Sequence, residues 1–441
     1  MDSLDRSTKP NSCNKYVGKL VQSVEFRYLA VRVSKFAFKC AWVSRIIKDS
    51  LPVAAAVQVS ISLVICFLLG GIRSCLAANE LVMHAFTGGA DGAFPFAGLI
   101  LDDAGNLYGT AWGGGAFGNG CESLGCGTVF RISPSGSLTI LHAFLGGADG
   151  GNPAGALLRD RSGNLYGTTE RGGLHGYGTV FRIGPNGRES VLYSFLGGRD
   201  DGADPRGALI ADAAGNLYGT TNSGGASAAG VIFKLTLNNA GQTVIETVIH
   251  AFGSKQDGAY PGYGALIRDI DGSFYGTTSG GGAHNKGTIF KLSTNGSEKV
   301  LYSFAGSDGG LPLSGLIFDK HWNLYGSTFL PGTVFKFSPQ GKLNTIHNQN
   351  GNPADMFFQS TLIMDSADSL FGTAASGGAA NGGSVFKISR SKNGAFIFST
   401  LYSFEDFSQP IAAVTFGKGD RLFGTTLTGG LLRKGTIFLI K

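Results

Sequence analysis

Seven copies of one short phrase constrain this chain more than any other feature in it. The phrase reads NLYGT at residues 106–110, 164–168 and 216–220, SFYGT at 273–277, NLYGS at 323–327, SLFGT at 369–373 and RLFGT at 421–425. Its aromatic residue recurs at intervals of 46 to 58 residues. A repeat of that length is one supersecondary unit, and such units stack into solenoids or close into rings.

Each repeat carries four runs of strand character. In the second copy these are AGALLR (154–159), NLYGTT (164–169), GTVFRI (178–183) and SVLYSF (190–195). A glycine-rich loop, ERGGLHGYG (170–178), joins the second run to the third, and Pro-Asn-Gly (185–187) turns the third into the fourth. Short runs of β-branched and aromatic residues between such turns are hairpin signals. No long stretch after residue 80 has helical periodicity. The 71 glycines are therefore read as turn and bulge positions, and the chain as all-β.

A four-stranded unit of about 50 residues has the size of one propeller blade. The ends of the repeat region supply the stronger argument. It opens with LVMHAF (81–86), a fourth strand standing alone, and finishes with GTIFLIK (435–441), a third strand lacking its fourth. Pairing 81–86 with 435–441 would close a ring and remove two exposed sheet edges. An open solenoid would leave both edges bare and would want polar caps, which are not seen. The expectation is a seven-bladed β-propeller over residues 79–441.

Residues 1–80 hold 11 of the 36 Lys and Arg but only 5 of the 30 Asp and Glu, so the remainder is close to neutral. A nucleic-acid binder concentrates basic charge on its folded domain, so nucleic acid is set aside as a partner. Residues 1–49 read as a disordered basic leader. The uncharged stretch 50–72, flanked by Arg45 and Lys48 and followed by Cys75-Leu76-Ala77, has the parts of a secretory signal within 50–78. Left uncleaved, it would be a membrane anchor with the C-terminal portion outside. Either outcome places the propeller outside the cytoplasm: secreted, periplasmic or on the cell surface. The leader exceeds an ordinary signal n-region, which suggests a true start near Val43.

Four of the six cysteines lie before residue 79, leaving Cys121 and Cys126. A Cys-x4-Cys pair without further ligands nearby reads as a loop disulfide in an oxidising compartment, not as a metal site. A second repeated element, Asp-Gly-x-x-Pro, begins at Asp91, Asp149, Asp201, Asp257 and Asp308, with degenerate forms at 350–353 and 406–410. It suggests a capped turn leading into the next inner strand. The functional alternative is a ring of carboxylates, with calcium the one cation to consider. Calcium wants six or more converging oxygens, which one Asp per blade does not guarantee, so no cofactor is expected.

His84, His142 and His250 stand where Tyr193, Tyr302 and Tyr402 stand in other copies, which implies a packing and hydrogen-bonding position, not a metal ligand or a base. His175 and His284 lie in separate glycine-rich loops. Strand alternation puts those loops and the Asp-Gly-x-x-Pro connections on one face of the ring. Variable loops on a rigid frame make that face the expected binding side, with Asp91, Asp149, Asp201, Asp257, Asp308, His175 and His284 as its candidate residues. Blade six departs from the pattern, so a specialised site is also sought around 329–332 and 348–358. No hydrolase, metalloprotease or Walker motif occurs, no catalytic residue is assigned, and Gly113–Gly118 fits G-x-G-x-x-G without the helix that motif requires.

The phrase LYGTT-x-GG-loop-GTVFKL, clearest at 165–183, resembles the GloVer-type tandem repeat of "choice-of-anchor" exported bacterial proteins, over residues 81–441. That resemblance implies an extracytoplasmic, propeller-like repeat protein with no assigned activity. Members often carry a C-terminal anchoring segment, whereas this sequence stops at the end of a strand. The expected function is non-catalytic: a binding or scaffold module, monomeric, engaging a glycan, small molecule or protein through the loop face. The rival is a propeller enzyme, a lyase or glycoside-acting hydrolase, with its site at the channel mouth. The two differ in whether ionisable groups from different blades converge there.

Overall fold

The computed structural model describes residues 79–441 apart from 119, 120, 122, 239–243, 254–256, 349–357, 406 and 407. The leader, the signal or anchor segment and the degenerate turn at 350–353 lie outside the described residues. The described chain is all-β but for one 3-10 turn, Gly147–Asp149, and it forms seven four-stranded antiparallel sheets. These are the blades of a seven-bladed β-propeller. In blade two the strands run from the axis outwards as Leu158–Arg159, Leu165–Thr169, Thr179–Ile183 and Glu189–Ser194. Blade seven takes three strands from the C-terminus, and its outer strand is Glu80–Ala85, paired antiparallel with Thr436–Ile440 from Glu80↔Ile440 to Ala85↔Thr436. The ring closes as the two chain ends require.

The inner strands are shorter than the sequence suggests. Of AGALLR only Leu158–Arg159 pairs with the second strand. The small residues before them face the neighbouring blade instead. Thr110 Oγ1 donates to Gly155 O at 3.3 Å, Thr168 to Gly207 O at 3.4 Å and Thr277 to Ser314 O at 2.8 Å. Ser327, Thr373 and Thr425 continue the series to Ser360 O, Ala412 O and Ala97 O. Six of the seven YGT phrases thus tie their blade to the next around the axis, the hydroxyl of Thr220 alone being buried without such a partner. At Gly155 a Cβ would lie 2.7 Å from Gly207 O, so the close approach demands glycine.

Further out, phenylalanines fill the seams. Phe86 meets Phe130, Phe144 meets Phe181, Phe195 meets Phe233, Phe252 meets Phe290, Phe304 meets Phe335, Phe358 meets Phe386 and Phe404 meets Phe438, with ring centroids 5.1–5.4 Å apart. Each pair joins the end of one outer strand, or in the case of Phe358 the connection beyond it, to the third strand of the following blade. Such pairs add about 0.5–1.5 kcal/mol to the burial of the rings. Every outer strand also bulges by one residue, as between Val180 and Phe181 of its partner strand. The bulge residues, among them Met83, Leu141, Leu192 and Leu301, are turned into the seam cores. A bulge redirects a side chain that regular alternation would leave on the other face.

The Asp-Gly-x-x-Pro turn is a staple between blades. The residue before each proline has positive φ: Phe94, Asn152, Asp204, Tyr260, Leu311 and Gln409, at 51–61°. Its N–H donates to the preceding blade's loop, as Asp204 does to Tyr177 O, and its carbonyl accepts from its own blade's second strand, as Asp204 O does from Asn222. The proline then packs on the glycine that opens the preceding blade's third strand. A Cβ on Gly178, which has φ +96°, would lie 2.6 Å from Pro205 and 2.3 Å from Thr169 O. Gly187, in the turn of the same blade, has φ +78° but nothing within 4 Å of that position. Gly178→Ala is therefore expected to cost about 3 kcal/mol, from strain plus overpacking. Gly187→Ala should cost about 1 kcal/mol, from strain alone. Chemical denaturation of the two variants checks this, and equal losses would refute the staple.

Candidate functional site

The axis opens on the glycine-loop face into a cavity of about 820 Å³. Two positions per blade build its wall: the residue three before the inner-strand leucine or its equivalent, and the residue just after the YGT-x phrase. The first set supplies Phe96, Ala154, Arg206, Tyr263, Leu313, Gln359 and Ile411; the second supplies Trp112, Glu170, Phe329, Ala375 and Leu427. Ser376, Asn381 and Gln409 complete the lining. The staple orients the second set, because its positive-φ carbonyl holds the backbone N–H of Trp112, Glu170, Phe329 and Leu427.

Polar groups gather on one side of this mouth. Arg206 Nη2 lies 3.0 Å from Glu170 Oε1, its Nε donates to Asp204 Oδ1 at 2.9 Å, and its Nη1 donates to the Tyr263 hydroxyl at 3.0 Å. Trp112 Nε1 donates to the other oxygen of Glu170 at 2.9 Å. Blades one to four thus meet in one network around a glutamate side chain only 11% exposed. Burial works against the Arg206 charge, but the bonds to Asp204 and Glu170 outweigh it and raise the guanidinium pKa. The guanidinium also lies over the Tyr263 ring, 5.3 Å from its centroid. Opposite stand Leu313, Phe329, Ile411 and Leu427, and Phe96 is 6.3 Å from Trp112, centroid to centroid. The mouth therefore pairs an apolar wall with a neutralised polar one.

The residues chosen from sequence lie elsewhere. None of Asp91, Asp149, Asp201, Asp257 and Asp308 lines the mouth. Each is bonded to the preceding outer strand: Asp91 to His84 at 3.1 Å, Asp149 to His142 at 3.1 Å, Asp201 to Tyr193 at 2.9 Å, Asp257 to His250 at 3.2 Å, and Asp308 to Tyr302. Each also accepts a backbone N–H, such as Leu145 N on Asp149 at 2.7 Å. His175 and His284 are exposed on loop tips outside the lining. Cys121 and Cys126 form a disulfide. Of the irregular stretches 329–332 and 348–358, Phe329 lines the mouth, whereas 349–357 lies outside the described residues.

Sequence reasoning missed Trp112, Glu170, Arg206 and Tyr263. Their signal is positional: both wall positions vary from copy to copy beside phrases that hardly change. On the opposite face the turns are filled by structural bonds. Asp160 accepts from the backbone and side chain of Asn164 and from Tyr166 Oη, at 2.7–3.1 Å. Burial opposes its ionisation, but these bonds win and hold the carboxyl below its ordinary range.

This geometry defines the class of protein, a closed seven-bladed propeller with an asymmetric channel mouth. Residues 122–330 match the Gloeobacter/Verrucomicrobia repeat. No curated protein matches it in sequence. Among solved structures it is similar to virginiamycin B lyase from Staphylococcus aureus, with 13% identity, a TM-score of 0.55, and 82% of this chain and 98% of that one covered. A streptogramin B lyase gives 14% identity, a TM-score of 0.54 and coverage of 82% and 97%. Likeness at such identity concerns the fold.

The seams also carry a titrating group. Burial, then the charge of Asp201, pushes the Glu246 carboxyl up from 4.5 to about 7. The folded state then holds more protons than the unfolded between these values. The stability contributed by this group is full below pH 4.5 and lost as pH rises through about 7. Thermal midpoints should fall less between pH 5 and pH 8 in Glu246→Gln than in the parent; the same slope in both would contradict the assignment.

Proposed function

We propose that this propeller binds a small, uncharged, hydroxyl-bearing ligand with an apolar face at its channel mouth, a sugar ring being the simplest such molecule, and that it does so without catalysis. The observation that carries this reading is the Glu170–Arg206 pair, 3.0 Å apart, with Trp112 and Tyr263 bonded to it. The carboxylates of Glu170 and Asp204 are balanced by Arg206 and by Arg171, whose Nε lies 3.9 Å from Glu170, so the wall presents hydrogen-bonding groups and ring faces with little net field. Tyr and Trp offer an apolar body with a polar tip, and the amides of Gln359, Asn381 and Gln409 add donors and acceptors. A few polar groups in a mostly apolar cavity is the usual composition of a small-molecule site.

Support for a non-catalytic role comes from how Glu170 is committed. Both its oxygens already have partners, and among the described residues no histidine lines the cavity. A general base must reach the proton it abstracts, and these bonds hold the carboxylate against its protein partners. The converging groups that would favour an enzyme are present, but they engage one another. The basic and apolar leader and the Cys121–Cys126 bond suit a protein working outside the cytoplasm.

A glycan array followed by calorimetry on the purified protein tests this. Trp112→Ala and Arg206→Ala are each expected to weaken the best ligand at least about tenfold, a loss of about 1.4 kcal/mol. Leu431→Ala, on an exposed loop tip, should leave affinity unchanged. Undiminished binding by both mouth variants would overturn the site. Consumption of virginiamycin B by the parent would replace binding with lyase chemistry.

A further inference from the structure

Two of the seams bring a histidine and two carboxylates together. His142 and Asp149, from the end of blade one and its exit loop, meet Glu189 at the start of the outer strand of blade two. His250, Asp257 and Glu298 repeat the arrangement between blades three and four. In each group the ligand-capable atoms all lie within 4.8 Å of one another. We propose that each of these seams is a binding site for a divalent transition-metal ion of the zinc type, held by one imidazole nitrogen and two carboxylates and clamping adjacent blades.

The donor geometry fits such an ion. His142 Nε2 lies 3.1 Å from Asp149 Oδ2, and His250 Nε2 lies 3.2 Å from Asp257 Oδ2. Two ligands on a tetrahedral zinc with bonds of about 2.0–2.1 Å stand roughly 3.3 Å apart, so an ion fits against both with little movement. The glutamates carry an independent sign. Glu189 Oε1 and Glu298 Oε1, like Glu246 Oε1 in the seam between blades two and three, are shut off from solvent without a hydrogen-bond partner, and only the first two have a histidine beside them. A buried carboxylate oxygen in that condition is costly, and a cation satisfies it. Imidazole together with carboxylate favours zinc or its neighbours over calcium, which prefers an all-oxygen shell.

The repeat supplies its own controls. Between blades two and three, Tyr193, Asp201 and Glu246 occupy the same places, with a phenol where the imidazole would be. Between blades seven and one, His84 pairs with Asp91 at 3.1 Å, but Leu138 stands at the register that Glu189 occupies. Two sites are therefore assigned, not four. Because tyrosine is already tolerated at this position, His142→Tyr and His250→Tyr remove a ligand while keeping a side chain the frame accepts.

Zinc bound to the purified full chain, made without a histidine tag and with its disulfide intact, is measured by mass spectrometry after dialysis and by calorimetric titration. The parent should hold two more zinc ions than His142→Tyr/His250→Tyr, and each single variant should lose one. Zinc should also raise the thermal midpoint of the parent but not of the double variant. Glu189→Gln, which keeps the histidine, should lose one ion as well. A stoichiometry unchanged in the double variant, or no saturable binding by the parent at micromolar zinc, would overturn the proposal.

Discussion

Contacts between neighbouring blades, repeated at three distances from the axis, carry the rest of this structure. Nearest the axis a YGT hydroxyl reaches a backbone carbonyl of the next blade, as Thr168 does to Gly207 O. Midway, paired rings such as Phe144 and Phe181 close the seam. Near the outer strand an aspartate such as Asp149 holds the preceding blade's histidine or tyrosine and a loop N–H. A blade alone would leave the first two unsatisfied. Closure is therefore required by packing and hydrogen bonding together. The N-terminal strand confirms it: Glu80 pairs with Ile440 of blade seven and accepts from Tyr402 of blade six at 2.9 Å.

That division of labour explains where variation is permitted. The glycine and phenylalanine of each copy are committed to neighbours and leave little room for change. At Gly167 a Cβ would stand 2.5 Å from the Phe181 ring, so this glycine makes space for the aromatic that seals the seam. The two wall positions at the mouth have no such commitment. One copy can place an arginine there, the next a tyrosine and another a leucine without disturbing the frame, as Arg206, Tyr263 and Leu313 illustrate. Variable chemistry on an invariant ring is how a fold of this class hosts unrelated sites.

Much of the fold was legible because it is written seven times. Strand identity, blade count and closure follow from the phrase around Tyr166, its recurrence, and the odd strands at the two ends. The bulge that turns Leu192 into a seam was not legible, since it breaks alternation without a glycine to announce it. Nor was the shortness of the inner strand at Leu158–Arg159, which depends on the next blade's backbone lying close to Gly155.

The amino-acid sequence by itself determined the ring, because a periodic pattern of strands and turns with complementary ends has one economical way to bury its edges. It also determined the Cys121–Cys126 bond, since the two cysteines lie close in the chain. Only the tertiary structure decided what meets at the mouth and in the seams. Glu170 and Arg206 are 36 residues apart, and His142 and Glu189 belong to different blades. Nothing local couples them; the curvature that brings blade against blade does, and that curvature is a property of the closed ring.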